Sequence, residues 1–97
     1  MAVIQIVRFR IKTGIDEAIF RAVNARFQKE VAPKLPGLER REASVGADGE
    51  WLLVLRFKDA ESAHSAMQSD NSAISQAMMG AIDQKSMSAS FYDIVSE

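Results

Sequence analysis

Few side chains in this sequence are equipped for chemistry, and they are scattered along it. His64 is the single histidine. An imidazole titrates near neutrality, so it could take a proton from a phenolic molecule; a histidine packed beside a core or half-exposed on a helix would look the same. Trp51 could stack on a flat ligand or serve as strand packing. Tyr92 could hydrogen-bond a ligand or sit at the rim of an interface. Met67, Met78, Met79 and Met87 could line an adaptable apolar pocket or fill gaps in a core. Gln5 interrupts an apolar strand face and needs a hydrogen-bond partner if buried, as a structural tie or as a pocket group. Arg8, Arg10 and Arg56 share one strand face by parity. They could hold an anion or pair with Glu39, Glu42 or Asp93.

Several kinds of chemistry are excluded at this level. Cysteine is absent, which removes disulfides, thiolate nucleophiles and thiolate metal sites. One histidine without a paired carboxylate motif supplies too few ligands for a metal, so no metal is expected. There is no glycine-rich phosphate loop, nucleophile elbow or dinucleotide fingerprint, and no bound cofactor is expected. A net charge of −1 carries no signal for nucleic acid or for an acidic membrane. No apolar run approaches the roughly 20 residues of a membrane span, and the N-terminal run is broken early by Arg8. A soluble, cytoplasmic protein is expected, with 97 residues forming one domain over 1–97.

The elements that must position these residues centre on EWLLVLRFK at 50–58. Trp51, Leu53, Leu55 and Phe57 fall on one face of a strand, Leu52 and Val54 on the other with Arg56. A strand apolar on both faces must be covered on both. Residues 2–11 form a similar strand, with Val3, Gln5, Val7, Phe9 and Ile11 on one face and Ile4, Ile6, Arg8 and Arg10 on the other. Thr13 is placed to cap a helix whose stripe is Ile19, Phe20, Val23, Phe27 and Val31. Pro33 should end that helix near Val31–Ala32. Residues 38–46 read as a polar edge strand, and Asp48-Gly49 as a hairpin turn. Asp59 opens a helix with Ala60, Ala63, His64 and Met67 inward. After a break at 69–72, a second helix carries Ile74, Ala77, Met78, Ala81 and Ile82. Residues 86–95 alternate as a last, half-covered strand.

The order β-α-β-β-α-β, with the second helical region broken in two, is the α+β ferredoxin-like arrangement. It predicts a four-stranded antiparallel sheet of order 4-1-3-2. The most apolar strands, the first and third, fall at its centre. Helices can cover one face only, and the Val7–Phe9–Trp51–Leu53–Phe57 face is the more continuously apolar. Ile4, Ile6, Leu52 and Val54, with Arg8 and Arg56 around them, would then stay open. An apolar patch of that size marks an interaction site. A second copy laid sheet on sheet, as a two-fold homodimer, would cover it.

The segments VRFRIKTG at 7–14, PGL at 36–38 and WLLVLRFKDAESAHSAMQSD at 51–70 resemble the antibiotic biosynthesis monooxygenase superfamily, the dimeric α/β-barrel proteins. The resemblance spans nearly the whole chain. It implies paired ferredoxin-like subunits and a pocket between sheet and helices. It also implies activities such as cofactor-independent oxygenation of aromatic, quinol or polyketide molecules, in which the substrate carbanion itself reduces oxygen. The protein then needs a base, a dry pocket and orientation. His64 is the candidate base, with Gln5, Trp51, Met78 and Tyr92 as ligand-binding groups. Other members have no assigned activity, and a non-catalytic ligand-binding or stress-associated homodimer is the alternative. The heme-degrading branch carries Asn, Trp and His where this chain has Val7, Phe57 and Gln76, so heme cleavage is disfavoured.

Overall fold

The computed structural model describes residues 1–97, with the side chains of Met67 and Ser69 excepted; the expectation that Met67 lines a pocket therefore lies outside the described residues. The strands are β1 (Val3–Ile11), β2 (Leu38–Val45), β3 (Trp51–Phe57) and β4 (Ile82–Asp93), and the α-helices are α1 (Glu17–Arg26), α2 (Ala60–Ser69) and α3 (Ala73–Ala81). The sheet order is β2-β3-β1-β4, antiparallel throughout. This is the expected ferredoxin-like topology, read from the opposite edge. The sheet is open, not closed on itself.

The central pair explains the layering. Val3 faces Phe57, Gln5 faces Leu55, Val7 faces Leu53 and Phe9 faces Trp51. These residues turn to the helices, and all but the half-buried Val7 are buried. Ile4, Ile6, Leu52 and Val54 occupy the other face and remain half-buried in the single chain. The expected assignment of faces holds. At one end of the core, Phe20 of α1 meets Trp51 edge-on at 4.9 Å and Phe9 at 5.9 Å, while Phe9 and Trp51 stack at 6.1 Å.

Local signals set the helix starts. Asp59 accepts a hydrogen bond from the Ser62 amide at 2.7 Å, and Ser72 from the Ser75 amide at 3.2 Å. In α1 the cap is Asp16, which accepts from the Ala18 amide at 2.8 Å. Thr13 lies in the preceding turn, closed by the Ile15 amide on the Lys12 carbonyl at 3.1 Å, and so comes too early to cap. The helical path does not stop before Pro33. After Arg26 it widens into a π turn over Phe27–Val31 and tightens into a 3-10 turn over Ala32–Lys34. A proline in the first turn of a new helical segment lacks only an amide that would be unpaired there.

Three other details depart from the sequence reading. Ile19 is 62% exposed, because Phe20 takes the inward position on α1. Among the described side chains of α2, Ser62, Ala63 and Ala66 are buried, while Ala60 and His64 face out. Strand β4 begins at Ile82, four residues before the expected 86. There the Lys12 amide donates to the Ala81 carbonyl at 2.8 Å, and Ile82 pairs with Ile11. A register shift between Arg8 and Arg10 absorbs the mismatch. Ser86 Oγ accepts from the Arg10 amide at 2.8 Å and donates to the Asp83 carbonyl at 2.7 Å, satisfying the backbone at the bulge. At the hairpin Gly49 has φ +91°, the left-handed conformation that glycine adopts without strain, and Asp48 is tied to Arg10 at 2.9 Å.

Candidate functional site

Between the helices and the sheet lies a cavity of about 250 Å³. An apolar cavity of roughly 150 Å³ suffices for benzene, so this one is large enough for a larger ring system. The sheet supplies its floor through Val7 and Phe9 of β1, Leu53, Leu55 and Phe57 of β3, and Met87 and Ala89 of β4. Ala66 of α2, Met78, Met79 and Ser75 of α3, and Phe27 and Leu35 of the segment after α1 complete the wall. Space exists because small side chains, Ala66 and Ala89, stand where larger ones would fill it.

Among the described residues, polar groups in this wall are few: Gln5, Arg41, Asp70 and Ser75. Gln5 is 3% exposed and occupies the row Arg41–Leu55–Gln5–Phe91 that crosses the sheet. Asp70, between α2 and α3, accepts from the Ser72 amide at 3.1 Å and from the Ser75 hydroxyl. Burial alone would raise its pKa, but these hydrogen bonds outweigh burial and hold the carboxyl below its usual range. Asp70 is therefore an anionic acceptor and a weak base.

Arg41 is the feature that the sequence reading missed. It is 6% exposed on β2. Its guanidinium donates to Gln28 Oε1 and to Asn24 Oδ1, both at 2.8 Å, and lies 4.7 Å from the centre of the Phe27 ring. Its Nε is buried without a hydrogen-bond partner among the described residues. Burial lowers its pKa to about 10, which leaves it charged at neutral pH. One signal was available: Arg41 shares strand parity with Ala43 and Val45, so it belongs to the inward face of β2.

The expected site residues separate into groups. Gln5 and Met78 meet at the cavity, together with Met79 and Met87. Trp51 is buried in the aromatic cluster and does not line the cavity; its Nε1 has no hydrogen-bond partner among the described residues. His64 is exposed on α2, with its ring 5.1 Å from that of Phe91, and is absent from the cavity wall. Successive helical residues turn by about a quarter of a circle or more, so burying Ala63 and Ala66 carries His64 outward. Tyr92 is 54% exposed and lies on the open face, paired with Ile4. Ile4, Ile6, Arg8, Leu52, Val54 and Arg56 all occupy that open face. Of the expected arginine partners, Glu39 meets Arg56 at 3.0 Å; Arg10 pairs instead with Asp48. Among the positions compared with heme-degrading proteins, Val7 and Phe57 line the cavity, and Gln76 is an exposed residue of α3. Among the described residues, no group of three or more His, Asp or Glu converges as a metal site requires. No helix among the described residues is long and apolar enough to cross a membrane.

No sequence-family model matches this chain, and no curated protein sequence matches it. Solved structures do match. SnoaB, a cofactor-independent oxygenase from Streptomyces nogalater, superposes with a TM-score of 0.78 at 15% identity, over 99% of this chain and 95% of that one. Rv0793 from Mycobacterium tuberculosis matches at 0.74 and 15%, over 100% and 98%. A structure described as an antibiotic biosynthesis monooxygenase matches at 0.69 and 12%, over 97% and 99%. The chain thus shares, over its whole length, the fold of the antibiotic biosynthesis monooxygenases and their structural relatives.

Proposed function

We propose that this protein binds a small aromatic, quinol or polyketide-type molecule between its helices and sheet, and that it promotes cofactor-independent oxygenation of that molecule. The observation that carries the reading is the cavity itself: about 250 Å³, walled mainly by apolar side chains, with a few polar groups that could fix a ligand's orientation. Similarity of fold to a cofactor-independent oxygenase supports it.

In such a reaction an activated methylene loses a proton to give a carbanion, which passes an electron to dioxygen. The radical pair recombines to a hydroperoxide. Loss of water then leaves a carbonyl, so that substrate and dioxygen become the ketone or quinone and water. The protein's part is to exclude bulk water, orient the ring system and favour its anion over its neutral form. Leu53, Leu55 and Phe57 provide the apolar floor, Gln5 and Ser75 could orient substrate oxygens, and Arg41 favours the anion. Asp70 can accept a substrate hydroxyl but is held in its charged form by Ser75 and Ser72, so the proton must leave a substrate acidic enough to give it up. This last point favours the second reading, a ligand-binding protein without turnover. Oxygen uptake above the uncatalysed rate with anthrone-type phenols and naphthoquinols would support the enzyme. Ligand-induced thermal shifts without added oxygen uptake would support the binder.

The functional unit we propose is a homodimer joined through the open sheet faces. Ile4, Ile6, Leu52 and Val54 present the apolar patch, bordered by Arg8, Arg56 and Tyr92. Covering it would remove about 300–500 Å² per subunit from water, worth roughly 8–12 kcal/mol before association costs.

A further inference from the structure

Among the described residues Arg41 is the one charged side chain that the fold buries, and it is given no carboxylate. The ion-paired arginines are more exposed: Arg10 with Asp48, Arg21 with Glu17, Arg26 with Glu30, Arg40 with Glu42, and Arg56 with Glu39 and Glu97. The chain therefore places its acidic partners on arginines that water could already solvate. At the buried one it places two neutral amides and an aromatic ring, and leaves Nε unsatisfied. A buried charge is ordinarily paired, because the loss of hydration is otherwise uncompensated. Arg41 also lines the ligand-sized cavity.

We infer that Arg41 is the anion-recognition point of the cavity, and that the ligand is an aromatic or polyketide-derived molecule whose anionic oxygen, a carboxylate or an acidic enolate, pairs with it. The inference rests on the reading of the cavity as a ligand site and specifies the ligand's charge. The planar guanidinium suits an oxygen anion and can hold it by more than one hydrogen bond. The sheet sets a scale for the rest of the molecule. Arg41 pairs with Leu55, and Leu55 with Gln5, so the arginine and the buried amide are two strand spacings, about 10 Å, apart. A ligand of two fused rings could span from one toward the other across Leu55. Asp70, elsewhere in the wall, disfavours a second negative charge near α3.

The test compares two probes of the same shape, 2-naphthoate and 2-naphthamide, by calorimetric titration of the full chain at pH 7. Wild-type protein is expected to bind the acid at least tenfold more tightly than the amide, and raising the salt concentration should reduce that preference. In Arg41→Met the preference should vanish while amide binding persists; in Arg41→Lys it should survive with weaker affinity. A purely structural Arg41, tying β2 to α1 through Asn24 and Gln28, would alter stability but not the ratio of the two affinities. Equal binding of both probes to the wild type, or an undiminished preference in a folded Arg41→Met, would overturn the inference and leave the cavity reading standing. Binding of neither probe would overturn both. The wild-type comparison decides the matter even if the variant does not fold.

Discussion

Enlarging Ala66 and enlarging Ala63 should have opposite effects, although both residues lie on α2 and both are buried, at 6% and 0% exposure. Ala66 lines the cavity and Ala63 is enclosed by core. Ala66→Leu adds three carbon atoms where there is room for them. At about 0.8 kcal/mol per buried methylene the gain is about 2 kcal/mol, reduced to roughly 1 by side-chain ordering and imperfect fit. For a chain of 97 residues that is a rise in Tm of about 4–8 °C. Ala63→Leu has no such space, and overpacking should cost about 1–3 kcal/mol. The helix propensities of alanine and leucine are close enough not to obscure a difference of this size. Urea and thermal unfolding of both variants would measure it. The same Ala66→Leu variant should bind naphthoate more weakly, since leucine occupies the ligand's space. If both substitutions destabilised the protein equally, the space beside Ala66 would not exist in solution, and the reasoning from cavity to ligand would be refuted.

Other expectations follow from the remaining surfaces and charges. Ile6→Lys places an ammonium at the centre of the open sheet face and should convert a dimer to a monomer, read as a halved mass by light scattering at micromolar concentration. His64→Ala should leave ligand affinity unchanged and stability within about 0.5 kcal/mol, because the residue is an exposed surface position outside the cavity wall, its ring 5.1 Å from that of Phe91; a large loss of oxygen uptake in this variant would reinstate it as a base. The Ser62 hydroxyl and amide hold the Asp59 carboxyl below its ordinary value of 3.8, and the Glu50 amide, then Arg10, does the same for Asp48. Since folded pKa values lie below unfolded ones, this stabilisation is complete above about pH 5 and is lost progressively as pH falls through the unfolded and then the folded pKa. Tm should therefore be steady from neutrality down to about pH 5 and fall below that, with a shallower acid fall in Asp59→Asn.

How far the sequence led depends on how much each feature repeats. The two central strands carry apolar residues on both faces over several successive positions, so Val3–Ile11 and Trp51–Phe57 were placed correctly, as was the helix-covered face. Asp59 and Asp48-Gly49 are short signals with one reading each, whereas the break at 69–72 offered several residues that could cap, of which Ser72 does. Thr13 failed as a cap because two potential cap residues lay three apart and the intervening turn decided between them. The inward stripe of α2 was misphased because alanine and serine carry little hydrophobic contrast; Ala63 and Ala66 form the contact, and His64 is turned away. Arg41 was overlooked because one buried charge in LERREASV looks like any other charge on a polar edge strand. Its environment comes from Asn24, Gln28 and Phe27, more than ten residues away in sequence, and only the packed fold brings them together.

The most direct test is whether a ligand enters the space between helices and sheet. Among the described residues, Met78, Met79 and Met87 line that space, whereas Met1 is 78% exposed and lies apart from it. In protein labelled with 13C at the methionine methyl groups, titration with 2-naphthoate should move the Met78, Met79 and Met87 signals saturably and with a common dissociation constant, and leave Met1 in place. Titration to saturating concentrations with no movement of those three signals, or with movement confined to Met1, would contradict the assignment of the cavity as a binding site.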